Sequence, residues 1–93
     1  MKNISLKAAD IFNMSFGQVF VVGKLEGPDA FVGPSRWKLL VNGQEVAELD
    51  AVGEQFPKEE LRRRHQRVIA YKGHIDTSAL DVVRDDVVLI RTE

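Results

Sequence analysis

The sequence predicts an all-β fold, a small closed barrel of about six antiparallel strands with one or two short helical turns. Three observations carry this. Strand-forming runs recur along the chain, separated by clusters of Gly, Pro, Asn and Asp that punctuate turns. Several of those runs are apolar on both faces, so each asks for cover on two sides. Gly23 interrupts a β-branched run, which marks either a bulge or the tight bend of a barrel corner.

In chain order, residues 1–9 give a short extended lead-in, because Ile4 and Leu6 alternate with Asn3, Ser5 and Lys7. Residues 10–27, DIFNMSFGQVFVVGKLEG, read as two strands meeting at Gly17. In the first, Phe12, Met14 and Phe16 share one side, taken as the core side, while Ile11, Asn13 and Ser15 take the other. In the second, Val19, Val21 and Leu25 share the core side and Phe20 and Val22 oppose them. Dense turn residues then surround an apolar plug at residues 30–32.

Residues 37–41, Asn42-Gly43 and residues 44–52 form the strongest hairpin signal, since Asn-Gly tolerates the positive φ angles of a type I′ turn. Apolar parity slips along the return strand, so a bulge is expected near Ala47 or Glu48. Phe56-Pro57 ends it. Pro57 suits the first turn of a short helix over residues 58–64, with Glu59 four before Arg63 and Glu60 four before Arg64. That turn is too short to stand alone, so it lies on the barrel or stays a loop. Residues 67–72 form a strand with Val68 and Ala70 on one face and Ile69 and Tyr71 on the other. Asp76 or Thr77 caps a turn through residues 78–83 with Ala79, Leu80 and Val83 inward, and residues 87–90 close the sheet.

The opening hairpin resembles that of the second domain of elongation factor Tu and related translational GTPases. In that family the pattern is D-V-F-x-I, a glycine-containing turn, then V-V-x-G-x-V-E and a closing glycine. Asp10, Ile11, Phe12 and Met14 match the first part, and Val21, Gly23, Leu25, Glu26 and Gly27 the second, across a turn one residue shorter. Further along, Glu54 and Phe56, residues 68–73 and residues 78–91 are similar to later family segments, so the likeness covers most of the chain. The resemblance implies the barrel alone, because no glycine-rich loop with Lys and Ser or Thr is present to cradle phosphates. It further implies a role near the aminoacylated end of tRNA for Asp10, Phe12, Met14 and Phe56. The family's Gly-Arg-Gly turn is Ser15-Phe16-Gly17-Gln18 here, and losing that arginine weakens an RNA role.

Composition narrows the function. Ninety-three residues are expected to make one barrel domain spanning 1–93, and 13 basic against 14 acidic residues leave a net charge of −1. No global field draws such a chain onto nucleic acid or a membrane. Cysteine is absent, which removes disulfides, thiolate metal sites and thiol nucleophiles and is compatible with a reducing, cytoplasmic setting. Neither a signal-peptide run nor a membrane-length apolar stretch is visible. His65 and His74 lack a second ligand at metal spacing, and no serine sits in a nucleophile elbow. No enzyme, cofactor, metal or nucleotide is therefore expected.

Two binding surfaces remain. Phe20, Val22, Ile69, Tyr71, Val88 and Ile90 all oppose the expected core side, which points to an interface with a protein partner or a second copy of the chain. Alternatively, residues 1–9 or the loop around Phe31 and Trp37 fold over them. The rival is RNA, held by Arg62, Arg63, Arg64 and Arg67 or by Asp10 and Phe12. Glu59 and Glu60 beside the arginines also fit a plain solvated turn. The favoured expectation is a non-enzymatic protein-binding or regulatory module, with an RNA- or tRNA-binding accessory protein as the alternative.

Overall fold

The computed structural model describes residues 4–27, 32–55 and 65–92. It contains six strands: β1 (Ser5–Asn13), β2 (Gln18–Glu26), β3 (Ser35–Val41), β4 (Gln44–Gln55), β5 (Arg67–Lys72) and β6 (Val87–Arg91), with one 3₁₀ turn at Thr77–Ala79. All pair antiparallel in the order β1-β2-β5-β4-β3-β6, and β6 returns to β1 to close the barrel. The chain therefore builds hairpins β1–β2 and β3–β4 and crosses between them.

Turn chemistry sets the hairpins. Asn42 and Gly43 have φ of 53° and 83°, the positive pair that a two-residue turn needs, and Val41 faces Gln44 across it. Gly17 (φ 80°) turns β1 into β2, closed by the Met14 N–H donating to Gln18 O at 2.7 Å.

The expected lead-in and first run are one strand, bent at Ala9. Ala8 faces Gly23 while Asp10 already faces Val22, so Ala9 is an extra residue and parity reverses there. Ile4, Leu6 and Ala8 point into the core before the bulge; Ile11 packs against it afterwards. Phe12 is consequently turned out, 46% exposed, and Phe16 is 64% exposed. The expectation that Phe12 faces the core fails for this reason; Phe16, also expected inward, lies beyond the end of β1 in the turn to β2, where strand alternation no longer applies. Gly23 is the bend's other half. A Cβ there would lie 2.0 Å from Lys7 O, so only glycine lets β1 come this close.

Along β4 the parity slip is real and falls one residue before the expected place, at Val46, since Leu39 faces Ala47 and Leu40 faces Glu45. A second bulge at Val52 separates Ala51↔Tyr71 from Gly53↔Ala70.

Inside, Trp37 and Tyr71 meet edge to face, with centroids 5.7 Å apart at 83°. Val19, Val21, Ile69, Val87 and Leu89 surround them. Val32 is a buried plug, as the punctuation predicted, tied to β4 by Glu54 N–H donating to its carbonyl at 2.8 Å. Ile75 plugs the other end, where both polar atoms of the Asn13 amide hold its backbone at 2.9 and 3.0 Å. Trp37 and residues 4–9 belong to the core and wall, so neither folds over the outer face; Phe31 lies outside the described residues.

Asp76 caps the 3₁₀ turn through Ser78 N–H at 3.0 Å. Bonds from the Ser78 hydroxyl and N–H hold the Asp76 carboxyl below the usual carboxylate range. Leu80 packs on the core as expected, but Val83 is 92% exposed: a second turn runs from Asp81 to Asp85, whose N–H bonds Asp81 O at 2.7 Å, and it carries Val83 outward.

Candidate functional site

The β1–β2 hairpin carries Phe12 and Phe16, two of the four large apolar side chains that stand exposed among the described residues, and its outer face continues onto β5. Strand alternation puts Phe20 and Val22 opposite the core-facing Val19 and Val21, as expected. Phe12 is the cross-strand partner of Phe20, and Phe16 meets Phe20 edge to face at 6.1 Å and 75°. Across β5, Phe20 faces Ala70 and Val22 faces Val68. Val22, Val68 and Ala70 are buried although they lie outside the barrel core, so Val22, expected at an interface, offers a partner almost no exposed surface and Phe20 with its two phenylalanine neighbours carries the wall. Charge bounds it: Lys7 and Lys24 pair at one end and Lys72 sits beside Gln18 at the other.

The expected interface set divides. Ile69 and Tyr71 lie within the core at 0% exposure and cannot touch a partner. Cross-strand partners share a face, and these two face Val21 and Val19. The outward residues of β5 are instead Val68 and Ala70. Val88 and Ile90 are half-buried on the outer face of β6, where Lys7 and Ser5 of β1 separate them from Phe20 and Val22. They extend toward Leu40 and Lys38 of β3 and form a second, smaller patch.

Of the residues considered for RNA, Arg62, Arg63 and Arg64, with the helix expected over residues 58–64, lie outside the described residues. Arg67 is engaged at one mouth of the barrel. Its Nε and Nη2 grip the Glu54 carboxylate at 2.6 and 2.5 Å, and Val32 N–H donates to the same carboxylate at 3.1 Å. Glu54 is 9% exposed and Arg67 23%. Burial alone would raise the Glu54 pKa, but the Arg67 bond, the Val32 N–H and the guanidinium charge outweigh it and hold the carboxyl below its ordinary range. This fork ties β4 to β5 and engages two of the guanidinium nitrogens that a phosphate would otherwise grip. Asp10 is exposed at the bulge, its carboxylate accepting the Ile11 N–H at 3.0 Å, which is a local turn contact.

His65 and His74 are both exposed, and among the described residues no group of three His, Cys, Asp or Glu side chains is placed to hold a metal ion. The Tyr71 hydroxyl is buried with no hydrogen-bond partner among the described residues, and burial pushes its pKa far up. Among the described residues no helix is long and apolar enough to cross a membrane. Sequence reasoning missed the role of Phe16, which sits in the turn beyond β1, and the Glu54–Arg67 fork, whose partners are 13 residues apart.

Fold and surface together define a small closed antiparallel barrel that presents a phenylalanine cluster on its outer wall. No protein family, curated protein or solved structure matches the chain.

Proposed function

We propose that this chain is a non-enzymatic protein-binding or regulatory module, a stand-alone barrel of the translation-factor second-domain type that acts through the outer wall of β1 and β2. The observation that supports it is the exposure of Phe12 and Phe16 beside Phe20. Clustered apolar side chains on a surface mark an interaction site, and aromatic residues are enriched in interface cores. A protein covers such a wall without needing net charge, which suits a chain of charge −1. The partner is a second copy of the chain or a dedicated protein, met in the cytoplasm.

The second reading, an RNA- or tRNA-binding accessory protein, draws on the same rings. Phenylalanine faces accept stacked bases, and Lys72 and Lys24 flank them. Salt separates the two, because phosphate contacts weaken steeply with ionic strength and apolar contacts do not.

The experiment is light scattering with size exclusion at two salt concentrations, after nuclease treatment and with the absorbance ratio recorded. A salt-insensitive assembly free of nucleic acid, broken by Phe16→Asp with the circular dichroism unchanged, is the expected result. A monomer carrying nucleic acid that high salt removes would put RNA first.

A further inference from the structure

The barrel wall is incomplete on one side of β4. This strand has 12 residues and β5 only six, so β5 reaches β4 from Ala51 to Gln55 and no further. Residues 44–50 pair with β3 alone. Beyond Lys72 the chain leaves the sheet: Gly73 adopts φ 103° and its N–H donates to Gly17 O at 2.9 Å, drawing it toward the β1–β2 turn. The Asn13 amide then fixes Ile75 on that same side. Among the described residues no backbone hydrogen bond links 44–50 to 73–80, so the edge of β4 that faces away from β3 keeps its peptide groups unpaired.

The gap is a groove of ≈ 350 Å³ between that edge and the loop after β5. Val46 and Ala47 line one wall and Ile75 and Leu80 the other, with His74 and Asp76 at the rim. Val46 is 55% exposed because it is the bulged residue, and it offers its side chain to the groove instead of the core. A bulge also twists an edge out of flat register, a device that keeps two copies of a protein from pairing edge to edge.

Carboxylates stand along this edge: Asp76 lies at the rim beside His74, and Glu45 and Glu48 belong to the same unpaired stretch of β4. Glu45 is bridged by Lys38 at 3.1 Å, which also faces Glu48 across the β3–β4 ladder, while Glu48 and Asp76 have no ion-pair partner among the described residues. An incoming strand that satisfies the peptide groups, fills an apolar slot and answers this charge has one description. We propose that residues 44–50 of β4 are an addition site for an extended peptide carrying lysine or arginine in alternation with small apolar residues. Its backbone would continue the sheet where β5 stops, an apolar side chain would enter between Val46 and Ile75, and the basic side chains would meet Glu48 and Asp76. This site lies apart from the phenylalanine wall, and either can fail without the other.

The probe is a capped hexapeptide of alternating lysine and valine, titrated into the ¹⁵N-labelled protein. Saturable amide shifts confined to residues 44–50 and 74–80 are expected. Methylating one alternate set of peptide nitrogens, replacing lysine by glutamate, or introducing Val46→Arg should each weaken binding by at least about tenfold. The spectrum of the Val46→Arg protein reports whether its fold is kept; Glu48→Lys, at an exposed position, is the second variant and carries the same expectation. The proposal is overturned if no shifts appear up to about 1 mM peptide. It is overturned equally if two peptides, each methylated on one of the two alternate sets of nitrogens, both bind within about twofold of the parent, if the shifts map to Phe12, Phe16 and Phe20, or if residues 44–50 respond to protein concentration alone.

Discussion

Replacing Gly23 with alanine should be among the most damaging single-methyl changes this barrel can suffer. The added Cβ would stand 2.0 Å from Lys7 O, 2.8 Å from Lys7 C and 3.1 Å from Ala8 Cα, all of them backbone atoms that no rotamer change can move. Bringing the shortest contact from 2.0 Å to the 3.0 Å floor of real Cβ contacts requires β1 and β2 to part by about 1 Å. That movement stretches the ladder bonds on either side beyond hydrogen-bonding range, at about 1 kcal/mol for each bond lost. Overpacking adds about 1–3 kcal/mol. With two bonds lost the total is about 3–5 kcal/mol, a large part of the stability of a small domain. At about 4–8 °C per kcal/mol for a chain of this size, the melting temperature should fall by more than about 12 °C. Gly33→Ala is the control: open space surrounds it and its φ is ordinary, so it should stay within about 0.5 kcal/mol of the parent. Gly17→Ala separates conformation from space, since its surroundings are open but its φ is +80°, at a cost of about 1–2 kcal/mol. Thermal unfolding by circular dichroism orders the three. If Gly23→Ala melts within about 2 °C of the parent, β1 and β2 do not approach as described and the reasoning fails.

Other outcomes follow from the interior. Glu54→Gln leaves Arg67 facing a neutral amide at a partly shielded mouth and should cost about 1–2 kcal/mol at neutral pH, measured by urea unfolding. The folded pKa of Glu54 lies below its unfolded value, so its contribution is complete above the unfolded pKa and is lost as pH falls through the folded one. The parent should therefore lose its advantage over Glu54→Gln below about pH 4, and a constant gap down to acid would contradict the fork. Tyr71→Phe removes a buried hydroxyl that has no partner among the described residues and should leave the melting temperature unchanged or raise it; a loss above about 1 kcal/mol would mean that the hydroxyl is satisfied. Asn13→Ala frees Ile75 and should cost about 1–2 kcal/mol, with faster amide exchange confined to residues 73–80.

Much of the fold was legible because its signals are local. Asn42-Gly43 announced a hairpin, Gly23 announced a corner, and the two-faced strand at residues 67–72 announced a closed sheet. Less legible was which face of each strand turned inward. Ala8 and Ala9 are adjacent and alike, so nothing in them marks the bulge that reverses β1 and exposes Phe12. At residues 68–71 both faces are apolar, and the choice was made by pairing with Val19 and Val21. Size offered a clue: Ile69 and Tyr71 are bulkier than Val68 and Ala70, and a barrel interior needs filling. The Glu54–Arg67 fork and the gap beside β4 depend on register, which no local pattern encodes. The phenylalanine wall is thus half legible: Phe20 and Val22 were placed outward from the alternation of β2, and Phe16 only by the fold.

The most direct test of the phenylalanine wall follows the ring resonances of Phe12, Phe16 and Phe20 on dilution from about 1 mM to about 10 µM protein, at low and at high salt. Association through an apolar face predicts ring shifts that move with concentration alike at both salts, while the Trp37 ring in the core stays still. Rings that ignore dilution, move on addition of oligouridine and return when salt is raised would contradict the protein-binding reading.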